Sequence, residues 1–404
     1  MPANSSSQLD SPRAWVVVAG AFLGAFVSFG VTYSFGVFLK PMALEFHVSH
    51  ATMSVLFSVI AGLTFFLAPL TGELADQHGP RPVVAAGAVL MAMALTATAR
   101  IHSFPLVVMV YGGGLGCAAA CIYIPGVAAV GEWFKGERRD LALGLAISGI
   151  GCGTLVAAPV SAMLTERYGW REAFVIFGWT SGALLLVGAA LLASPPASGA
   201  KLKAEIAHKL RTSSFAFLYI SLMCSGVAVY AAFVFVADYA IDLGASRVAA
   251  AAIIGYIGAS SVLGRLGLNA LAPRYGLLTM YRIAFLILLI SDGVWATAHS
   301  YPVLVIFGIV MGVGYGGIAA MAPAVAAELF GVEGLGELLG ILFTGFGMAC
   351  LVGPPLAGVL VDYTHDYKWP ALLALVAAVL GLALVVPVRR QPAEPQQERA
   401  AGAA

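Results

Sequence analysis

The chain has 404 residues and a net charge of +1, from 21 Lys and Arg against 20 Asp and Glu. Hydrophobic residues make up 60% and charged residues 10%, where soluble folds carry about 25% charge. This composition excludes a water-covered globular domain, and the lack of any basic block excludes nucleic-acid binding as the main activity.

A membrane-crossing helix needs about 20 apolar residues, and the apolar runs here are long and continuous, unlike the short alternating strands of a barrel. Twelve spans are predicted: 15–39, 52–74, 83–99, 105–131, 141–164, 171–193, 213–240, 247–270, 277–298, 302–327, 337–361 and 369–388. The first run is too long for the apolar core of a signal peptide. Charge and turn residues mark the breaks, notably 75–82, 132–140 and 272–276. The five cysteines, Cys117, Cys121, Cys152, Cys224 and Cys350, lie inside apolar stretches with no CxxC and no histidine at ligand spacing. They read as packing residues, with no metal site or disulfide framework implied.

Lys and Arg concentrate on the cytoplasmic side of membrane proteins. With a cytoplasmic N-terminus, the inner loops and tails hold Arg13, Arg81, Lys135, Arg138, Arg139, Lys201, Lys203, Lys209, Arg211, Arg274, Arg389, Arg390 and Arg399. The outer loops hold six: Lys40, Arg100, Arg167, Arg171, Arg247 and Lys368. Both termini are therefore expected in the cytoplasm of a cell (inner) membrane protein. The longest polar break falls between spans 6 and 7. The expected organisation is an N-terminal tail (1–14), a six-helix bundle (15–193), a linker (194–212) that can carry a short amphipathic helix, a second bundle (213–388) and a disordered tail (389–404).

The two halves repeat. Shifted by 196 residues, Glu132, Phe134, Gly144, Gly149, Gly151 and Pro159 fall on Glu328, Phe330, Gly340, Gly345, Gly347 and Pro355 without a gap. That places span 5 on span 11. Two bundles in the same orientation are what a rocking carrier requires.

The stretch Gly72-Glu73-Leu74-Ala75-Asp76-Gln77-His78-Gly79-Pro80-Arg81 resembles the G-x-L-A-D-x-x-G-x-R loop of the major facilitator superfamily, between spans 2 and 3 as in that family. Its second-half counterpart, around Asn269-Ala270-Leu271-Ala272-Pro273-Arg274, has lost the acid. Three segments resemble the monocarboxylate transporter family within it: Gly36-Val37-Phe38-Leu39-Lys40, the run from Trp133 through Arg138-Arg139 to Gly149, and Gly264-Arg265 of span 8. The acidic, Gly-rich entry to span 1 found in many members is absent. The likeness covers residues 14–390 and implies an all-α membrane protein of twelve transmembrane helices in two pseudo-symmetric six-helix bundles, the major facilitator fold. Physically, Asp76, Arg81, Arg138 and Arg139 suit an inner-face latch that ties helix ends together.

Arg265 lies inside the apolar region, where inserting an arginine costs roughly 2.5–3.5 kcal/mol. Such a residue faces a wet cavity, where it can grip a carboxylate bidentately, or it snorkels, or it pairs with an acid. The family's Asp one turn earlier is here Ser261, so either another acid does that work or the coupling differs. Asp238 near the end of span 7 is one candidate, and Lys40 at the outer mouth, which the resemblance casts as an anion-attracting lysine, is the other. Asp242 reads as loop, and Asp292 and Arg282 receive no role. The aromatics that interrupt the spans, Phe29, Tyr33, Tyr123, Tyr230, Tyr256, Tyr315, Phe343 and Phe346, suit as a set a snug pocket above the arginine. Tyr33, Tyr123, Tyr315, Phe343 and Phe346 are taken as its substrate contacts, and Asn269 as either an added hydrogen-bonding group or a replacement for glycine at a helix contact.

The expected function is a secondary transporter of a small monocarboxylate such as lactate or pyruvate with a proton. The expected partners are that anion, a proton and the lipid bilayer. No cofactor, no metal, no enzyme activity and no ATP use is implied, since there is no P-loop, and no feature identifies an accessory protein. The rivals are an organic-anion exchanger and a proton-coupled efflux carrier. A transporter-like receptor is disfavoured by loops of only about 20 residues.

Overall fold

The computed structural model describes residues 11–134, 136–194, 207–331 and 335–388. The N-terminal tail before residue 11, most of the linker with Lys201 and Lys203, Lys135, and the tail with Arg389, Arg390 and Arg399 lie outside these residues.

The described residues form helices, several of them broken. The first, α1, runs Pro12–Phe46 with a break at Ser34, and α2 comprises His50–Phe66 and Ala68–His78, bent by 47° at Leu67. A proline in the first turn after that bend removes a backbone donor and accounts for the kink. Helix α3 spans Pro80–Thr98 and α4 spans Phe104–Trp133. A single helical stretch, Gly136–Leu191, follows. Its 56 residues would measure about 84 Å if straight, far more than a bilayer core of about 30 Å. It is broken at Gly169, whose φ of 81° no helix contains, and so makes two crossings, α5 (136–168) and α6 (170–191). In the second half α7 is Ser213–Asp242, α8 Arg247–Tyr275, α9 Leu277–Ala296, α10 Tyr301–Phe330, α11 Leu335–Thr364 and α12 Lys368–Val385. Twelve crossings result, in the predicted order.

Predicted ends shifted most at α1, which continues helically through Lys40 to Phe46 instead of ending at 39. Asp242, expected in a loop, is the last residue of α7. Of the linker, Ala207–Leu210 forms one helical turn.

The structure extends the repeat beyond α5 and α11. Ser49 caps α2 by accepting from the Thr52 N–H, and Ser246 caps α8 by accepting from the Ala249 N–H, each satisfying an otherwise free donor. The loops after α2 and α8 both turn on a glycine with positive φ, Gly79 at 86° and Gly276 at 90°. On the same face Arg81 donates to the carbonyls of Ala190 and Leu192 at the end of α6. Arg282 of α9, to which the sequence assigned no role, donates to Val386 and Val388 at the end of α12. An equivalent latch therefore survives in the half whose motif lost its acid.

Helices without a water-driven attraction between them pack by close backbone approach. Gly308, Gly312 and Gly316 line one face of α10 against α8, and a Cβ on Gly312 would collide with the Ile257 carbonyl and Ser260 Oγ. Gly149 and Gly153 of α5 meet the Phe22 and Phe26 carbonyls of α1 in the same way. Across the bundles, Gly151 of α5 and Gly258 of α8 face each other. Between α2 and α11, Ala51 meets Gly358 and Leu351 meets Gly62.

Gly312→Val is expected to lower stability by about 1–3 kcal/mol through overpacking, read as a lower thermal midpoint in detergent. Gly144→Ala, where a Cβ meets nothing within 4 Å, is expected to leave that midpoint unchanged.

Candidate functional site

With twelve crossings, the start of α1 and the end of α12 lie on one face of the molecule, here the terminal face; the other is the far face. Arg265 sits 18 residues after the start of α8 at Arg247 and ten before its end at Tyr275, so it lies on the terminal side of the middle. The helix is not regular there. Gly264–Leu268 is a π-helical turn, a wider ladder often found at functional positions. Asn269 Nδ2 donates to the Arg265 carbonyl at 2.8 Å, supplying a donor inside this altered turn. Asn269 therefore supports its own helix and is not among the residues lining the cavity, contrary to the expectation that it meets substrate.

The Arg265 side chain is 1% exposed. Its Nη1 donates to the Ile147 carbonyl of α5 at 3.1 Å, so a side chain of the second bundle is held by the backbone of the first. Its Nε and Nη2 have no partner. Among the described residues no carboxylate lies within ion-pair distance of it. Ser261 turns away, donating to the Gly258 carbonyl at 2.7 Å within the α5–α8 contact.

The guanidinium lines a cavity of about 50 Å³ between the bundles. One water needs about 10–15 Å³ on this measure, so the space suits a few waters or a very small organic ion. Four of the predicted aromatics line it with Arg265: Tyr123 of α4, Tyr315 of α10, and Phe343 and Phe346 of α11. The fifth, Tyr33 of α1, lines it as well, and its hydroxyl meets that of Tyr315 at 3.1 Å. The Tyr315 ring centroid lies 5.6 Å from the Arg265 Cζ, within reach of a cation–π contact. Phe29, Phe65 and Tyr230 complete the aromatic wall and Ile147 and Ile150 the aliphatic part. Phe29 and Tyr230 belong to the aromatic set the sequence singles out, whereas Phe65, Ile147 and Ile150 were left out because an apolar side chain in an apolar helix carries no signal of which way it faces.

On the far side of the cavity the bundles are closed in layers. Tyr33 stacks on Phe233 of α7 with ring centroids 4.1 Å apart. Beyond that, Asp238 of α7 is 1% exposed and accepts from the Tyr367 hydroxyl at 2.8 Å. Its Oδ2 also lies 3.4 Å from His50 Nε2 of α2. Outermost, Lys40 pairs with Asp242 at 2.9 Å. With both side chains about two-fifths exposed, such a pair contributes about 0–1 kcal/mol. The two expected proton-coupling groups, Lys40 and Asp238, thus sit in the far closure and not beside Arg265. His50, Asp362 and Tyr367 were missed because each ends a helix, where polar residues are ordinary.

The expected latch divides. Arg81 caps α6, helped by Trp133 Nε1 donating to the Ala193 carbonyl at 2.9 Å. Asp76 is exposed in the last turn of α2, and Arg138 and Arg139 are exposed at the start of α5, with the Arg139 guanidinium over Gly131 of α4. Asp292 is fully buried in α9, neither oxygen has a hydrogen-bond partner, and it does not line the cavity.

A profile described as Major Facilitator Superfamily matches residues 21–291 and 218–404. The chain belongs to the major facilitator superfamily. Among curated proteins, this transporter is 26% identical to monocarboxylate transporter 12 of Rattus norvegicus, over 94% of this chain and 86% of the relative. It is 25% identical to monocarboxylate transporter 4 of Gallus gallus, over 97% and 87%. Among solved structures it resembles a bacterial homologue of the human lysosomal transporter Spinster, in an inward-facing and occupied conformation. There the TM-score is 0.77 at 14% identity, covering 94% of this chain and 97% of that one; this likeness shows the fold. The transporter is a major facilitator carrier related to the monocarboxylate transporters.

Tyr315→Phe removes the hydroxyl that meets Tyr33 and keeps the ring beside Arg265. It is expected to cost about 0.5–1.5 kcal/mol, whereas Tyr315→Ala, which also empties space, is expected to cost about 3–5 kcal/mol; thermal unfolding of the two purified variants measures the difference.

Proposed function

We propose that the transporter carries a small monocarboxylate, of the size of lactate or pyruvate, together with a proton by alternating access. The observation that supports this reading is the Arg265 guanidinium, buried, with Nε and Nη2 unpaired beside a small cavity. These two N–H groups form the fork that matches the two oxygens of one carboxylate. A single cation and a small aromatic chamber favour a monoanion with a short organic tail.

In the proposed cycle the bodies that move are the bundles 15–193 and 213–388, joined by the linker 194–212. The structure is read as closed to the far side, with that side extracellular and both termini cytoplasmic, as the 13 to 6 distribution of Lys and Arg favours. When the far mouth opens, Lys40 loses Asp242 and Asp238 loses His50. Lys40 then attracts the anion, and Lys40 or Asp238 takes up the proton. The anion docks on Arg265 with Tyr33, Tyr123, Tyr315, Phe343 and Phe346 around its tail, and its charge cancels that of the guanidinium. A neutral, loaded chamber can change sides without a bare charge in an apolar gate. Asp76, Arg81, Arg138 and Arg139 are proposed to steady the cytoplasmic ends of the helices as the bundles rock.

Exchange of one monoanion for another is the second reading, favoured by the absence of an acid beside Arg265 among the described residues and by Ser261 in the place of the family's Asp. Uptake of labelled lactate and pyruvate into proteoliposomes separates the two. Symport predicts stimulation by an inward proton gradient with no anion inside; a requirement for internal anion, with no effect of the gradient, refutes it. Arg265→Ala is expected to abolish uptake in correctly folded protein, and Arg265→Lys, which keeps the charge but not the fork, to reduce it at least tenfold. Normal uptake by Arg265→Ala removes the assignment of the site.

A further inference from the structure

At the far mouth, groups from both bundles meet at one imidazole. His50, the first residue of α2, places Nε2 3.4 Å from Asp238 Oδ2 of α7 and Nδ1 3.1 Å from Asp362 Oδ1 of α11. Asp362 also accepts from the backbone N–H groups of His50 and Ala51, each at 2.9 Å, so the end of α11 caps the start of α2. Tyr367, just before α12, donates to Asp238 and stacks on Tyr239, whose hydroxyl goes to the Ala298 carbonyl. Among the described residues, the other charges facing this junction are Lys40 of α1 and Asp242 of α7, paired with each other, Arg247 of α8 beside Lys40, and Asp366, just before Tyr367, beside Tyr239.

A neutral imidazole has one N–H and one lone pair. Here both ring nitrogens face carboxylate oxygens. If the ring is neutral and both acids are ionised, one lone pair points at an anion and one contact becomes repulsive. Both contacts hold only with one further proton in the junction, on the second ring nitrogen or on one of the two carboxyls. Tyr367 cannot supply it, because burial, and then the neighbouring Asp238 charge, raise its phenol above the usual range and its proton is already given to Asp238 in a hydrogen bond.

We propose that His50, Asp238 and Asp362 form a proton-binding site that locks the far mouth shut, so that closure takes up a proton from that side. The proposal rests on the alternating-access reading, in which α2 parts from α7 and α11 as the far mouth opens. Parted, His50 titrates as an ordinary histidine near pH 6.5. Joined, the three groups keep the extra proton to higher pH. The added stability of the closed mouth is therefore fully present below about pH 6.5 and is lost as pH rises above it. Through that window the closed-to-open ratio changes by up to about tenfold per pH unit, the limit for one linked proton.

The test measures the mouth itself, without substrate. Spin labels at Tyr168→Cys, exposed at the end of α5, and His299→Cys, exposed between α9 and α10, report the distance between bundles in the full chain, with the five native cysteines replaced. Between pH 6 and 8 the long-distance, open population is expected to grow by up to tenfold per unit. His50→Gln, which retains a donor and an acceptor but binds no proton, is expected to flatten that dependence, and Asp238→Asn to weaken it. A distance distribution that does not change with pH in the otherwise native chain overturns the proposal, as does an undiminished slope in both variants. Because no anion is present, loss of lactate uptake with the slope intact would count against the Arg265 reading alone.

Discussion

The arrangement depends on one charge placed where it is expensive. Arg265 is buried at the seam of two bundles, one nitrogen, Nη1, donating to a backbone carbonyl of the opposite bundle and two, Nε and Nη2, without a hydrogen-bond partner. A buried guanidinium without a counter-charge carries a desolvation penalty of several kcal/mol, which in the proposed cycle an arriving carboxylate relieves. The same contact joins the bundles, so an anion that binds there touches the element about which they move. In the proposed cycle, occupancy and conformation are therefore coupled through shared atoms.

Around this charge the fold separates two tasks. Tight backbone contacts within the bundles, α10 on α8 and α5 on α1, are made through glycines with no room for a side chain, and they behave as rigid packing. Between the bundles on the far side, α2 and α11 also approach closely at Ala51 and Gly358, but the side-chain contacts there are graded. Stacked aromatics lie nearest the cavity, a hydrogen-bonded His–Asp–Tyr junction comes next, and an exposed ion pair lies outermost. None of these layers alone is strong, which suits contacts that must be broken and remade in every cycle. A closure worth much more than a few kcal/mol would trap the carrier in one state.

The architecture was legible because a bilayer imposes length. Twelve apolar runs, the 196-residue repeat and the loop motif at Gly72–Arg81 were sufficient to define two six-helix bundles. Arg265 was legible for the same reason, since a charge in an apolar span stands out. What the sequence hid is direction around a helix. Where nearly every residue is apolar, no periodicity says that Phe65 and Ile150 face the cavity while Asn269 faces its own backbone. The far junction was hidden differently, because His50 sits at the start of α2 and Asp362 and Tyr367 flank the distant α11–α12 turn, and they acquire meaning only when these two segments meet Asp238 of α7. Arg282 was passed over because the latch in the second half uses an arginine outside the register of the first-half motif.

Ser261 shapes the energetics of the empty carrier. A carboxylate one turn before Arg265 would cancel its charge in the absence of substrate; the serine hydroxyl is instead committed to the Gly258 carbonyl. The groups that do face the guanidinium are the Ile147 carbonyl and the Tyr315 ring, a dipole and a quadrupole. Both attract a cation, but neither removes its net charge, and their fields fall off faster with distance than that of an ion. Compensation in the empty state is therefore partial, whereas a bound monoanion completes it. In the proposed cycle, the loaded carrier therefore changes sides over a lower barrier than the empty one.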